Sequence, residues 1–179
     1  MNVLGICGSL RRQSRNKGLL RYAVANAPTD MTIEVADLSA MPFYNADITE
    51  RPAPVEALFA QMAAADALLL VCPEYNYSMA PALKNALDWA SREPDNRLLA
   101  GKACAIMGAG GGMGTSRAQY HLRQSCVFLD LHPLNKPEVF ANAFSDSFDA
   151  DGNLVDKRIQ DLIVAQLVAL QAHAARFKG

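Results

Sequence analysis

The chain has 179 residues, enough for one domain spanning 1–179 with a sizeable core. Apolar residues make up 51% and charged residues 20%, with a formal net charge of −1, a balance that argues against disorder and against nucleic acid as a partner. No run of about 18 apolar residues offers a membrane span, and the N-terminal MNVLGICGSL lacks a basic leader, so a cytoplasmic protein is expected.

Five short apolar runs follow one another along the chain: VLGIC at 3–7, MTIEV at 31–35, ALLLVC at 67–72, ACAIMG at 103–108 and CVFLD at 126–130. Each is read as a strand. The first, third and fourth are continuous rather than alternating, as strands buried on both faces are. Between them lie helical segments. Ser14 caps one running to about Ala27. The second covers Pro54 to Ala65, and the third Pro81 to Ser91. The fourth starts near Thr115 or Ser116 and runs through Leu122. Segment 132–153 is rich in Asp, Asn, Pro and Gly and is expected to be loop with a short helical turn. The last helix covers Leu154 to Phe177, where Leu154, Ile159, Leu162, Ile163, Leu167 and Leu170 form an apolar stripe. This alternation predicts an α/β chain with a parallel sheet covered by helices on both faces. The four cysteines, Cys7, Cys72, Cys104 and Cys126, are dispersed in or beside apolar runs. That placement suits buried free thiols in a reducing compartment, not a metal cluster.

In such a sheet, ligands bind beyond the carboxyl ends of the strands. Three unusual loops occupy that position. GSLRRQSRN, Gly8 to Asn16, offers Ser9, Ser14 and Asn16 as donors, the guanidinium of Arg11 and a helix N-terminus. That set suits a phosphate, and equally an ordinary capped loop with solvated arginines. It is neither GxGxxG nor a Walker A sequence. PEYNYSMAP, Pro73 to Pro81, sets Glu74 and Asn76 to hydrogen-bond a polar ring edge and Tyr75 and Tyr77 to offer flat faces. The other reading is a surface loop seated on an oligomer interface. Trp89, on the following helix, belongs to a core or an interface rather than to a ligand. GAGGGMGTSRAQYHLRQ, Gly108 to Gln124, opens with five glycines in seven residues, either a backbone left open to a heterocycle or a flexible loop without partner. GxSxG, HExxH and any convergent metal set are absent, and His121 suits a surface or interface. The chemistry therefore points to a cofactor that supplies it.

GSLRRQSRN, PEYNYSMAPALKNALDWAS and GAGGGMGTSRAQYHLRQ, in that order, resemble the NADPH-dependent FMN reductase family, which includes small quinone, azo-compound and chromate reductases. PEYN followed by P-x-x-x-K-N-x-x-D carries most of the resemblance. It implies a flavodoxin-like three-layer sandwich with five parallel strands in the order 2-1-3-4-5. It implies noncovalent FMN, with NADPH or NADH as reductant. By position, Ser9, Arg11, Ser14 and Asn16 match the phosphate loop. Pro73, Glu74, Tyr75 and Asn76 match the loop beside the isoalloxazine ring, and Gly110, Gly111, Gly112 and Gly114 the loop approaching the ring from elsewhere. The implied reaction has two half-reactions, hydride passing from NAD(P)H to flavin N5 and on to a small-molecule acceptor such as a quinone, with no catalytic side chain. A homodimer or homotetramer is implied, with Tyr77, Lys84, Asp88, Trp89, Arg117 and Tyr120 near its interface. The alternatives are a flavin reductase that releases reduced FMN and a flavodoxin-like electron carrier. Flavodoxins have a Thr-rich phosphate loop without Arg11 and are strongly acidic, unlike this chain.

Overall fold

The computed structural model describes residues 1–177. The chain folds in the order β1 (Asn2–Cys7), α1 (Arg15–Ala25), β2 (Thr32–Val35), α2 (Ala53–Ala64), β3 (Ala67–Val71), β4 (Glu74–Tyr75), β5 (Ser78–Met79) and α3 (Pro81–Ala90). Then come β6 (Ala103–Gly110), α4 (Ser116–Leu129), β7 (His132–Pro133), β8 (Val139–Asn142) and α5 (Lys157–Ala174). The main sheet is parallel, in the order β2-β1-β3-β6, with β7 and β8 both pairing the outer side of β6. Taken as one interrupted fifth strand, β7 and β8 give the flavodoxin-like order 2-1-3-4-5.

Strand periodicity divides the core between two layers. Leu68 and Leu70 of β3 point to one face, where they pack with Leu58 and Met62 of α2, Leu83 and Leu87 of α3 and Leu122 of α4. Leu69 and Val71 point to the other, against Leu19 of α1 and Ile163 and Leu167 of α5. All five residues of β3 are buried, as its continuous apolar run predicted.

One expected strand is not a strand. CVFLD at 126–130 forms the last turn of α4, which extends past Leu122 to Leu129. Cys126 and Leu129 continue the buried stripe begun by Ala118 and Leu122, and that spacing is helical. Asp130 ends the helix in the left-handed conformation at φ 52°, and the Leu131 N–H returns to the Cys126 carbonyl at 3.0 Å.

The true fifth strand lies in segment 132–153, which was expected to be loop. β7 pairs with Ala103 and Cys104, and β8 with Met107 through Gly110. At the break between them, beside Pro137, a side chain adds its own bridge. Gln166 of α5 donates its amide to the carbonyls of Ile106 and Pro137 at 3.0 and 2.9 Å. The last helix begins at Lys157 rather than Leu154, because the Asp156 carboxylate accepts the N–H groups of Arg158 and Ile159 and caps it there.

Candidate active site

The carboxyl ends of β1, β3 and β6 carry the three loops singled out in the sequence, and the fold brings them together. In the first, Ser14 caps α1 by accepting the Lys17 N–H at 3.3 Å. Ser9 and Ser14 are buried despite being polar. A Cβ on Gly8 would lie 2.9 Å from the Cβ of Ala80 and 3.1 Å from Pro73, so glycine is what lets the first and second loops touch. Asn16 does something the sequence did not suggest. Its amide donates to the Ala109 carbonyl and accepts the Ala109 N–H, both at 2.8 Å. β3 ends at Val71, so nothing from that strand pairs the final residues of β6, and Asn16 takes its place. The side chain thereby ties the start of α1 to the glycine loop. Arg11 is exposed and makes no hydrogen bond or ion pair among the described residues. Arg15, the first residue of α1, buries its Nε without a partner.

The second loop is a β-hairpin. β4 and β5 pair antiparallel, Glu74 with Met79 and Tyr75 with Ser78, around a two-residue turn. Asn76 and Tyr77 both have positive φ, 50° and 67°, as a type I′ turn requires. Asn tolerates that region, whereas Tyr occupies it at a cost of roughly 1 kcal/mol or more. Three contacts hold the hairpin in place. One oxygen of the Glu74 carboxylate accepts the backbone N–H groups of Arg117 and Ala118 at 3.2 Å. The other faces the Arg117 guanidinium at 2.7–2.8 Å. The guanidinium in turn lies 3.6 Å from the centre of the Tyr77 ring. The Glu74 side chain is only 7% exposed and is engaged by α4, so it caps that helix from outside the element instead of reaching for a ring edge.

The third loop is set by close approaches. A Cβ on Gly108 would meet the Cys72 carbonyl at 2.3 Å, and one on Gly110 the Gly114 carbonyl at 2.2 Å. Gly114 has φ +63° and packs against Phe140, so three glycines are explained by the protein's own packing. Gly111 and Gly112 are not: nothing lies within 4 Å of a Cβ at either position.

These parts enclose a cleft of about 180 Å³. Ser9, Arg11, Ser14, Asn16, Pro73, Glu74, Tyr75, Gly110 and Gly111 line it, whereas Asn76, Gly112 and Gly114 shape its loops from outside the lining. The sequence reading missed Arg15, Ala109, Ala143 and Phe144, which also line the cleft. Arg15 stood in view inside the first loop. Phe144, 81% exposed, follows β8 and was hidden by the misplaced fifth strand. Trp89, expected in a core or at a subunit interface, points inward. It donates its indole N–H to the Pro42 carbonyl at 2.9 Å and meets the Tyr44 ring edge-on. Burial pushes the Cys72 thiol, beside Pro73, up to about 12 and raises that of Cys7, so both remain protonated near neutrality.

Comparison with known proteins gives the arrangement a lineage. The family model for NADPH-dependent FMN reductase matches residues 1–146. The chain is 52% identical to an NAD(P)H-dependent FMN reductase of Pseudomonas aeruginosa, with 100% of this chain and 98% of that protein covered. It is 49% identical to an NAD(P)H:quinone oxidoreductase of Solanum tuberosum, covering 100% and 95%. It is 39% identical to a quinone reductase of Escherichia coli K12, covering 99% and 97%. Among solved structures, the flavoenzyme NAD(P)H:(acceptor) oxidoreductase FerB of Paracoccus denitrificans superimposes with a TM-score of 0.84 at 28% identity, over 96% of this chain and 98% of that one. With the family model spanning all three loops and the sheet order matching, the chain belongs to the NADPH-dependent FMN reductase family.

Proposed function

We propose that the protein is an NAD(P)H-dependent oxidoreductase that uses FMN to reduce quinones or related flat acceptors, in two half-reactions of ping-pong form. The observation that carries this is the meeting of an anion grip and a bare backbone wall in one cleft. At the grip, the buried and unpartnered Arg15 Nε joins unpaired Arg11, the hydroxyls of Ser9 and Ser14 and the N-terminus of α1. That set fits a phosphate ester. At the wall, the missing side chain of Gly111 answers to no packing constraint and leaves room for a flat ring, with Gly112 equally unconstrained beside it. FMN, when bound, supplies the ring that accepts and returns a hydride.

The protein's own residues hold and select. The two serines and two arginines hold the phosphate. Asn16 fixes the distance between that grip and the glycine wall through Ala109. Glu74 and Arg117 keep the hairpin from moving as ligands alternate. Tyr75, 46% exposed, and Phe144 bound the open side with aromatic faces suited to flat molecules. No acid, base or thiolate is required of the chain. The four cysteines are free and buried, which suits a reducing, cytoplasmic setting. α4 turns Tyr120, Val127 and Phe128 outward, and a second copy of the chain covers this stripe in a homodimer or homotetramer.

Anaerobic stopped-flow mixing tests the reading. Protein-bound FMN should lose its visible absorbance with NADPH or NADH far faster than free FMN and recover it with a quinone. Reduction no faster than that of free flavin would refute it. The flavin left after dialysis separates a retained prosthetic group from an FMN released as product, the mode suggested by the name of the Pseudomonas relative.

A further inference from the structure

The carboxyl ends of β1 and β2 open onto a second cleft, which shares Ser9 with the first and has no part in the flavin reading. It holds about 630 Å³, within the roughly 300–1,000 Å³ of small-molecule sites. Its walls are apolar: Leu20 and Val24 from α1, Val35 at the end of β2 and Leu38 just beyond. Leu10, Val24 and Val35 are 52%, 40% and 48% exposed, so three large apolar side chains face water around one depression.

The polar groups at its rim are few and specific. Lys17 and Arg21 stand one turn apart on α1. Their hydrogen-bond partners are neutral, the Leu10 carbonyl for Lys17 and the Asn153 amide oxygen for Arg21. Neither forms a salt bridge among the described residues. Asp37, two residues past the end of β2, accepts the Ser39 N–H on Oδ1 at 2.9 Å, and its carboxylate has further lone pairs for a ligand's hydroxyls. The cleft thus asks for an apolar flat body, hydroxyl donors and an anion. A fatty carboxylate lacks the hydroxyls, and a neutral quinone lacks the anion. A nucleotide has all three.

We infer that this cleft binds an adenosine 5′-phosphate group, with the base between Leu20, Val24 and Val35, the ribose hydroxyls on Asp37 and the phosphate on Lys17 and Arg21. The same chemistry is carried by free AMP, by the adenylate half of NAD(P)H and by that of FAD. The test is calorimetric titration of AMP into the FMN-saturated protein and into Val24→Trp, which fills the cleft, and Lys17→Glu, at a half-buried rim residue outside the hydrophobic core. AMP should bind with a Kd of about 1 mM or tighter, weakened at least about tenfold by each substitution, and adenosine should be insensitive to Lys17→Glu. No binding up to about 10 mM, or affinity unchanged in both variants, overturns the inference. A KM for NADPH that rises in Val24→Trp while that for reduced nicotinamide mononucleotide does not assigns the site to the reductant. Selective loss of FAD over FMN binding assigns it to FAD, and neither change leaves free AMP as the ligand. AMP binding by a protein that does not take up FMN would sink the flavin reading and leave this one standing.

Discussion

Neighbouring glycines of one loop answer to different demands, and substitution separates them. Gly110→Ala drives a Cβ to 2.2 Å from a backbone carbonyl that has no flexible end to yield. It should destabilise the fold by about 1–3 kcal/mol, read as a lower denaturant midpoint. Gly111→Ala meets nothing in the protein. Its denaturation midpoint should match the parent while its FMN affinity falls, and a matching FMN affinity would remove the ring from that wall. Arg15 gives a second contrast. Arg15→Met removes the buried, unpartnered guanidinium nitrogen. Fluorescence titration of the apoprotein should show FMN binding weakened by about 1.5–3 kcal/mol, the size of a charge-assisted hydrogen bond. Riboflavin, which lacks the phosphate, should bind equally to both proteins. Equal losses for the two flavins would place Arg15 in packing and not in the grip.

At the level of elements, the interrupted fifth strand depends on one glutamine. Replacing Gln166 by Leu removes the side-chain donor of the Pro137 carbonyl, whereas the Ile106 carbonyl keeps its pairing with β8. A buried polar group left unpaired costs about 1–3 kcal/mol, so the midpoint of a thermal melt should fall by roughly 4–8 °C. The same region shows where sequence reading reached its limit. β1, β3 and β6 were legible because each is a continuous apolar run with a distinctive loop after it. CVFLD was not, because four apolar residues fit a strand or a buried helical turn equally well, and only the longer stripe from Ala118 to Leu129 decides. β7 and β8 are two and four residues long, and prolines at 133 and 137 hid them in what looked like loop. The site loops were legible as positions, not as contacts. Nothing in PEYN says that Glu74 will be taken by the N-terminus of α4, because that partner lies 43 residues away.

For the whole molecule, several carboxylates are held ionised by the fold. A hydrogen bond from Ser147 and the two N–H groups of α5 keep the Asp156 carboxyl below its usual range. Asn153 does the same for Asp149, and Arg97 with Arg51 for Glu93. A depressed folded-state pKa contributes stability above the unfolded value, about 3.9 for Asp and 4.3 for Glu, and loses it as pH falls through the folded value. The denaturant midpoint should therefore show no loss from these groups between neutrality and about pH 5, then drop below about pH 4. Asp156→Asn should flatten that drop, and an unaltered acid limb would exclude the α5 cap as a contributor. The outward stripe of α4 belongs to this scale too. Phe128→Glu places a charge on a face that is already 77% exposed in the single chain. It should leave the fold intact and shift sedimentation toward a smaller species.

The engagement of Glu74 with α4 also makes the cleft electrically lopsided. Two helices begin beside it, and each brings a partial positive charge. At α4 that charge is cancelled by the Glu74 carboxylate, whereas at α1 it is reinforced by Arg11 and Arg15. A molecule with an anionic tail and a neutral ring therefore has a single heading in this cleft. Reversed, its tail would face a carboxylate already paired with Arg117 instead of two unpaired cations, and the same atoms in the same volume would lose their attraction.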